Sequence, residues 1–76
     1  MTHTHTLSAN LKVLRKQKRL SAAELCEKLS EDYTTGINHK RYSAYEEGRN
    51  GPDINTLKMI AEFYQISIDQ LCFNKL

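Results

Sequence analysis

The chain is poor in the residues that mark several large classes of protein. It has two cysteines among 76 residues, too few for a disulfide scaffold or for a zinc site built on cysteine. It has no run of about 18 apolar residues, so we expect no membrane-spanning helix. Its first ten residues lack the charged and apolar regions of a signal peptide. One proline and three glycines predict order except at the ends. We therefore expect one small cytoplasmic domain with reduced, buried thiols.

The charge is small in sum but uneven along the chain. Eleven basic and nine acidic residues give a net charge of +2, and a chain of this length has no room for a cleft between two lobes. Residues 10–20 carry five basic side chains and no acid, whereas residues 50–76 carry two basic and three acidic ones. Such a polarised layout is typical of a nucleic-acid face. The alternative is that the basic residues complement the negative end of a helix dipole.

Apolar periodicity and capping residues predict two helices in the first part of the chain. Helix 1 is expected from about Ala9 to Lys18, with Thr6 or Ser8 as its N-cap. Helix 2 begins at a capping box made by Ser21 and Glu24. The inward positions of these two helices are Leu7, Leu11 and Leu14, then Ala22, Leu25, Cys26 and Leu29.

Three further helices are predicted by the same signals. Helix 3 is capped by Asn38 and ended by Gly48, helix 4 follows the cap Asp53, and helix 5 begins at a capping box of Ser67 and Gln70. The expected apolar faces comprise Tyr42 and Tyr45, then Ile54, Leu57, Ile60, Ala61 and Tyr64, then Ile68, Leu71 and Cys72. No segment alternates cleanly as a strand. The fold class is therefore all-α with five helices.

Three stretches together resemble the phage-repressor and Cro-type helix-turn-helix family, also called the XRE family. They are LKVLRKQKRLSAAELCEKL, GINHKRYSAYEEGRNGP and INTLKMIAEFYQISIDQL, and the resemblance extends over about residues 7 to 73. The residues that match the family pattern are Leu11, Leu14, Arg15, Leu25, Cys26, Glu46, Gly48, Pro52, Ile66, Ile68, Asp69 and Leu71. The resemblance implies a five-helix, lambda-repressor-like DNA-binding domain over residues 7–73. Residues 1–6 are then a flexible tail and residues 74–76 the C-terminal end.

The chain departs from the family pattern at two places. Residues 30–35 look like an insertion, so that either helix 2 gains a turn or the connection to helix 3 is a longer loop. The family often has glutamine at the first residue of helix 2, where it helps to bind phosphate, and this chain has Ala22.

The resemblance implies that helix 3 lies in the major groove of DNA, with its N-terminal residues at base edges. The candidates for base contacts are His39, Lys40, Ser43 and Ala44. Lys40 can donate to guanine, and Ala44 can touch a thymine methyl group. The candidates for phosphate contacts are Ser21, Ala22, Arg41, Arg49 and Asn50. The alternative is a polar face that is only solvated.

Other residue pairs have different expected roles. In the family that this chain resembles, Arg15 and Glu46 pair beneath helix 3, which is a structural role. His3 and His5 lie in the expected tail, and two histidines without a third ligand do not predict a metal site. Cys26 and His39 do not predict a nucleophile, because Cys26 falls on a buried face. We therefore expect no enzyme activity and no cofactor.

These observations predict a sequence-specific regulator of transcription that binds double-stranded DNA, with repression the favoured mode. We expect a homodimer formed through helix 5 and the C-terminal tail, where apolar residues have no further helix to cover them. An effector is expected to act through protein abundance, a partner or the tail. The alternatives are an antitoxin that holds a toxin partner and binds its operator, or a protein-interaction module on the same fold.

Overall fold

The computed structural model describes the backbone of residues 3–32 and 37–76, with side chains from Thr6 to Glu31 and from Ile37 onward. The described part is helical and contains no strand, which confirms the predicted all-α class. Its helices are α1 (His3–Gln17), α2 (Ala22–Asp32), α3 (His39–Glu47), α4 (Ile54–Tyr64) and α5 (Ile68–Phe73). Helix α1 packs against α3 and α5, while α2 packs against α3 and α4 against α5.

Helix α1 begins earlier than its sequence signals predict. It starts at His3 instead of about Ala9, so residues 3–6 of the predicted tail are helical. Ser8 is not an N-cap but a buried side chain, whose hydroxyl donates to the carbonyl of Tyr45 at 2.8 Å. Because the Ser8 hydroxyl bonds to α3, it does not cap α1, and α1 begins five residues before it. The side chains of His3 and His5, which do not predict a metal site, lie outside the described ones.

The capping boxes at the starts of α2 and α5 are as predicted. The amide of Glu24 donates to Ser21 Oγ at 3.1 Å, and the amide of Ser21 donates to Glu24 Oε1 at 2.8 Å. Ser67 and Gln70 exchange the same two bonds, both at 3.0 Å. Each box satisfies donors that have no partner within the helix, which fixes where α2 and α5 begin.

The predicted caps of α3 and α4 are also present. Asn38 Oδ1 accepts from the amide of Arg41 at 2.8 Å, and Asp53 Oδ1 accepts from the amide of Thr56 at 3.0 Å. Gly48 ends α3 in the left-handed conformation with φ at 76°. A Cβ at Gly48 would also come within 3.3 Å of Ser8 Oγ, so the site favours glycine on both counts.

One core joins the helices, and one buried polar residue ties the last residues to it. The core contains Leu7, Leu11, Leu25, Cys26, Leu29, Ile37, Tyr42, Tyr45, Met59, Ile60, Ala61, Leu71 and Cys72. Asn10, only 1% exposed, donates from Nδ2 to the carbonyls of Leu71 and Asn74, both at 2.7 Å. Its Oδ1 accepts from the amide of Leu76 at 3.1 Å. No local sequence pattern indicates this role for Asn10.

Burial corrects two expectations about apolar residues. Leu71 and Cys72 are buried against the rest of the chain, so they do not need a second copy to cover them. The exposed apolar side chains near the C-terminal end are Phe73 and Leu76, at 52% and 44% exposure. Ile54, expected on the inner face of α4, is 55% exposed, whereas Leu57 in the same turn packs against the core.

The insertion between helices 2 and 3 is partly accounted for. Helix α2 continues to Asp32, so the first of the two alternatives, a longer helix 2, holds for residues 30–32. Residues 33–36 lie outside the described part of the chain. Ile37 is buried in the core directly before the cap of α3, which anchors the far side of the connection.

The C-cap of α4 offers a test of backbone strain. Gln65 has φ at 59°, a left-handed conformation that costs a residue with a Cβ about 1 kcal/mol. We expect Gln65→Gly to raise Tm by about 4–8 °C. Gln65→Ala is the matched control and should give no such gain. A lower Tm for the glycine variant, measured by thermal unfolding, would contradict this account.

Candidate nucleic-acid interface

Helix α3 has an anchored face and an exposed face, as its sequence predicts. Tyr42 and Tyr45 are buried, and their rings meet edge to face with centroids 6.4 Å apart. His39, Lys40 and Arg41 are exposed in the first turn, and Ser43 is half-buried one turn later. The donors therefore lie at the N-terminal end of α3, on the side away from the core.

These donors line an open groove of about 540 Å³. Its lining residues are Asn38, His39, Lys40, Arg41, Ser43, Ala44, Arg49 and Asn50. The groove thus brings together all four candidates for base contacts and three of the five candidates for phosphate contacts. Its lining residues carry positive charge from Lys40, Arg41 and Arg49, as an anionic ligand requires.

Ala44 differs from the expectation for it. It is 4% exposed, although it lines the same groove as the exposed side chains of Lys40 and Arg41. Its carbonyl accepts the amides of Arg49 and Asn50, at 3.0 and 3.4 Å. Ala44 therefore shows little of its methyl group to solvent, unlike the other predicted base-contact residues.

In the loop after α3, the side chains of Arg49 and Asn50 are available to bind a phosphate, whereas their backbone amides are already bonded. The amides of Arg49 and Asn50 are directed into the end of α3, where the carbonyl of Ala44 accepts them. The side chain of Arg49 is exposed and pairs with Glu47 at 3.0 Å between Nε and Oε1. An exposed pair of this kind contributes at most about 1 kcal/mol, so Arg49 can exchange Glu47 for another anion at little cost.

The start of α2 is the other predicted phosphate site, and a carboxylate already occupies it. Glu24 accepts from the amide of Ser21, and its own amide bonds the Ser21 hydroxyl. These bonds with Ser21 lower the pKa of Glu24, so it is ionised at neutral pH. Ala22 is half-buried beside it. A phosphate that approaches the first turn of α2 therefore meets a negative charge as well as amide donors.

An ion pair beneath α3 holds this helix against α1, as the family resemblance implies. Arg15 Nε and Nη2 donate to the two carboxylate oxygens of Glu46, at 2.6 and 3.1 Å. The third arm of the guanidinium, Nη1, donates to the carbonyl of Leu20 at 2.8 Å. The side chains of Arg15 and Glu46 are 16% and 8% exposed. The forked geometry fixes orientation as well as distance.

Burial and hydrogen bonding act in opposite directions on the pKa of Glu46. Burial alone raises it, but the hydrogen bonds from Arg15, the nearby Tyr42 hydroxyl and the charge of Arg15 lower it overall. The Tyr42 and Tyr64 hydroxyls are both buried without a hydrogen-bond partner among the described residues. Burial raises the pKa of both tyrosines well above the usual range.

Three further features of the described residues bear on function: metal-ligand clusters, membrane-length helices and cysteine reactivity. No three histidine, cysteine, aspartate or glutamate side chains come together there. No helix in the described ranges is both long and apolar enough to cross a bilayer. Cys26 is buried, and burial followed by the charge of Glu46 raises the pKa of its thiol, which makes it a poor nucleophile.

Removal of the Glu46 side chain tests whether the Arg15–Glu46 ion pair stabilises the fold. Glu46→Ala leaves the Arg15 guanidinium unpaired in a largely buried position, and we expect a loss of about 3 kcal/mol in the free energy of unfolding. Glu47→Ala on the same helix is the matched control, with a change within about 0.5 kcal/mol. Equal stability of the two variants in urea denaturation would contradict a structural role for the pair.

The pH dependence of stability gives a second test of the Arg15–Glu46 ion pair. Because folding lowers the pKa of Glu46 below its ordinary value of 4.5, the pair stabilises the fold at neutral pH. This stabilisation is lost as pH falls below 4.5 through the folded-state pKa. We expect the stability difference between the natural protein and Glu46→Gln to shrink between pH 7 and pH 3. A constant difference would show that ionisation of Glu46 does not matter.

Comparison with known proteins agrees with this arrangement. The profile of the family described as "Helix-turn-helix" matches residues 11–71. The chain is 41% identical over 64 residues to a Bacillus subtilis (strain 168) protein named "Uncharacterized HTH-type transcriptional regulator YqaE". That alignment covers 84% of this chain and 50% of the relative, so the chain spans half of the relative's length. No solved structure matches the chain. The chain belongs to the XRE-type helix-turn-helix family of DNA-binding domains, as its motifs predict.

Proposed function

We propose that this protein binds a specific double-stranded DNA sequence, with α3 in the major groove, and that it represses transcription from the site it occupies. The observation that carries the proposal is the groove along α3, which collects the exposed donors of His39, Lys40 and Arg41 beside Arg49. A protein bound at a promoter excludes other proteins from the same DNA, so this small domain needs no further activity to repress. In a bacterial cell it would act in the cytoplasm, where the DNA lies.

Base recognition is assigned to the first two turns of α3. Lys40 is exposed and long enough to reach guanine O6 and N7, while His39 beside it can donate to the same acceptors. Ser43 is one turn further along and can donate or accept. Ala44 is left out of this set because it is buried.

Phosphate contacts are assigned first to Arg41, Arg49 and Asn50, which lie along the edge of the groove. Their side chains supply the donors, since the amides of Arg49 and Asn50 serve the end of α3. Ser21 and Ala22 form a second phosphate site at the start of α2, which the Glu24 carboxylate makes weaker. Such contacts set the register of the protein on DNA, not its sequence preference.

Two copies are proposed to bind one operator. Helix-turn-helix dimers read half-sites about 34 Å apart, and the domain measures 33 × 24 × 24 Å. Two copies on neighbouring major grooves therefore come close enough to touch. Phe73 and Leu76 are the exposed apolar side chains at the end of α5, and they are the proposed contact between copies.

Selection of bound sequences from a random duplex pool tests the function directly. The natural protein should select a site with two related halves. Lys40→Ala should change the selected bases, at a cost of about 1–3 kcal/mol on the original site, whereas Arg49→Ala should weaken all sites alike. Lys58→Ala is the control, because Lys58 is exposed on α4 and is not part of the groove. Unchanged selection by Lys40→Ala would remove this residue from base recognition.

Salt dependence separates DNA binding from a protein-interaction module on the same fold. The logarithm of affinity should fall with the logarithm of salt concentration, with a slope of about −0.9 for each phosphate contacted. Loss of Arg49 should reduce that slope by about one unit. A flat salt dependence without a selected sequence would favour the interaction module.

The proposed dimer contact is tested by Phe73→Ser. Phe73 is half-exposed, so the substitution should leave the fold intact and should raise the dissociation constant of the dimer at least about tenfold in sedimentation. Ile54→Ser, at a comparably exposed apolar position on α4, is the control and should have no effect. A natural protein that stays monomeric at high micromolar concentration, with and without DNA, would overturn the dimer.

A further inference from the structure

A second cleft lies away from the α3 groove. It has a volume of about 400 Å³ and is lined by Lys18, Leu20, Lys28, Glu31 and Phe63. Lys18 and Leu20 come from the segment after α1, Lys28 and Glu31 from α2, and Phe63 from the end of α4. None of them lines the groove along α3. Its volume is within the range of small-molecule sites, about 300–1,000 Å³.

The lining of this cleft combines an apolar floor with charged groups at its rim. Leu20 and Phe63 are half-buried, so each shows part of its apolar surface to solvent. The Lys18 ammonium lies 5.5 Å from the centre of the Phe63 ring, and Lys28 and Glu31 are exposed on α2. Two ammonium groups and one carboxylate leave the described lining with one net positive charge. That combination fits a flat apolar body with a single negative charge.

Leu20, one of the two apolar residues of the cleft, is bonded to the Arg15–Glu46 ion pair that holds α3. The carbonyl of Leu20 accepts the Nη1 donor of Arg15 at 2.8 Å, and the same guanidinium holds both oxygens of Glu46. A molecule that moves Leu20 therefore acts on the ion pair beneath α3.

The second apolar residue of the cleft is Phe63. The Phe63 ring meets the Tyr64 ring edge to face, with centroids 5.1 Å apart. The Tyr64 hydroxyl is buried without a hydrogen-bond partner among the described residues, and this burial, followed by the charge of Glu46, raises its pKa. The cleft is therefore joined to the Arg15–Glu46 ion pair through Leu20.

We propose that this cleft binds a small aromatic carboxylate and that its occupation weakens DNA binding. The aromatic ring takes the place of the Lys18 ammonium over Phe63, and the carboxylate pairs with Lys18 and Lys28. Displacement of Leu20 then disturbs the Arg15–Glu46 fork and with it the position of α3. The binding site stands on the cleft alone, whereas the effect on DNA rests on the proposed function.

The site is tested first without DNA, by titration of the ¹⁵N-labelled protein with 3-phenylpropionate. We expect saturable shifts of the amides of Leu20, Lys28 and Phe63, with a dissociation constant of about 1–5 mM, as a ligand of this size allows. The neutral 3-phenylpropanol and the ring-free propionate should each bind at least about fivefold more weakly. Shifts that do not saturate, or that centre on His39 to Ser43, would overturn the site.

Lysine variants test the charge requirement. Lys28→Gln should weaken binding of 3-phenylpropionate at least about threefold, because one of the two ammonium groups is lost. Lys58→Gln carries the same change on an exposed part of α4 outside the cleft and should bind as the natural protein does. Both positions are exposed, so neither substitution threatens the fold. Equal binding by the two variants would contradict the proposed pairing.

The effect on α3 is measured as DNA affinity at a saturating concentration of 3-phenylpropionate. We expect affinity to fall about fivefold relative to the same concentration of propionate, which matches the ionic strength. Lys28→Gln should show a smaller fall. Saturable binding with unchanged DNA affinity would keep the site and overturn its coupling to α3. Absence of DNA binding under all conditions would instead remove the proposed function and leave the titration result standing.

Discussion

The ion pair of Arg15 with Glu46 is the constraint on which the interface depends. Helix α3 has nine residues, and an isolated helix of that length is not stable in water. Its exposed face is polar and adds no packing, so its position must come from the opposite face. The fork of Arg15 supplies that position from α1, while the buried rings of Tyr42 and Tyr45 fill the space between the helices.

Anchoring and recognition are separated along α3. The donors that would meet DNA lie in its first turn, whereas Glu46 and the carbonyl of Tyr45, which Ser8 holds from α1, lie near its end. Residues of the exposed face can therefore change without loss of the fold, provided that the anchored residues stay. This separation explains why substitutions of Lys40 and of Glu46 are expected to have different consequences.

Local signals predict the helices well because each depends on residues a few positions apart. Asp53 and Gly48 mark a start and an end where the structure has them, since their bonds lie within one turn. The inward roles of Ser8 and Asn10 depend on partners 37 and more than 60 residues away, which no local pattern reveals. The low exposure of Ala44, which lines the groove, is likewise not indicated by the helical pattern. The Arg15 pair was predicted only because a family motif carries long-range information.

In the proposed complex, the anchored α3 places its first turn against base edges in the major groove. Methylation interference on a selected operator tests it most directly, because methylation of guanine N7 blocks the major groove and methylation of adenine N3 blocks the minor groove. We expect methylation of guanine N7 within each half-site to abolish DNA binding and methylation of adenine N3 there to have little effect. Interference confined to N3 would show that the protein reads the minor groove, and the assignment of α3 would then be wrong.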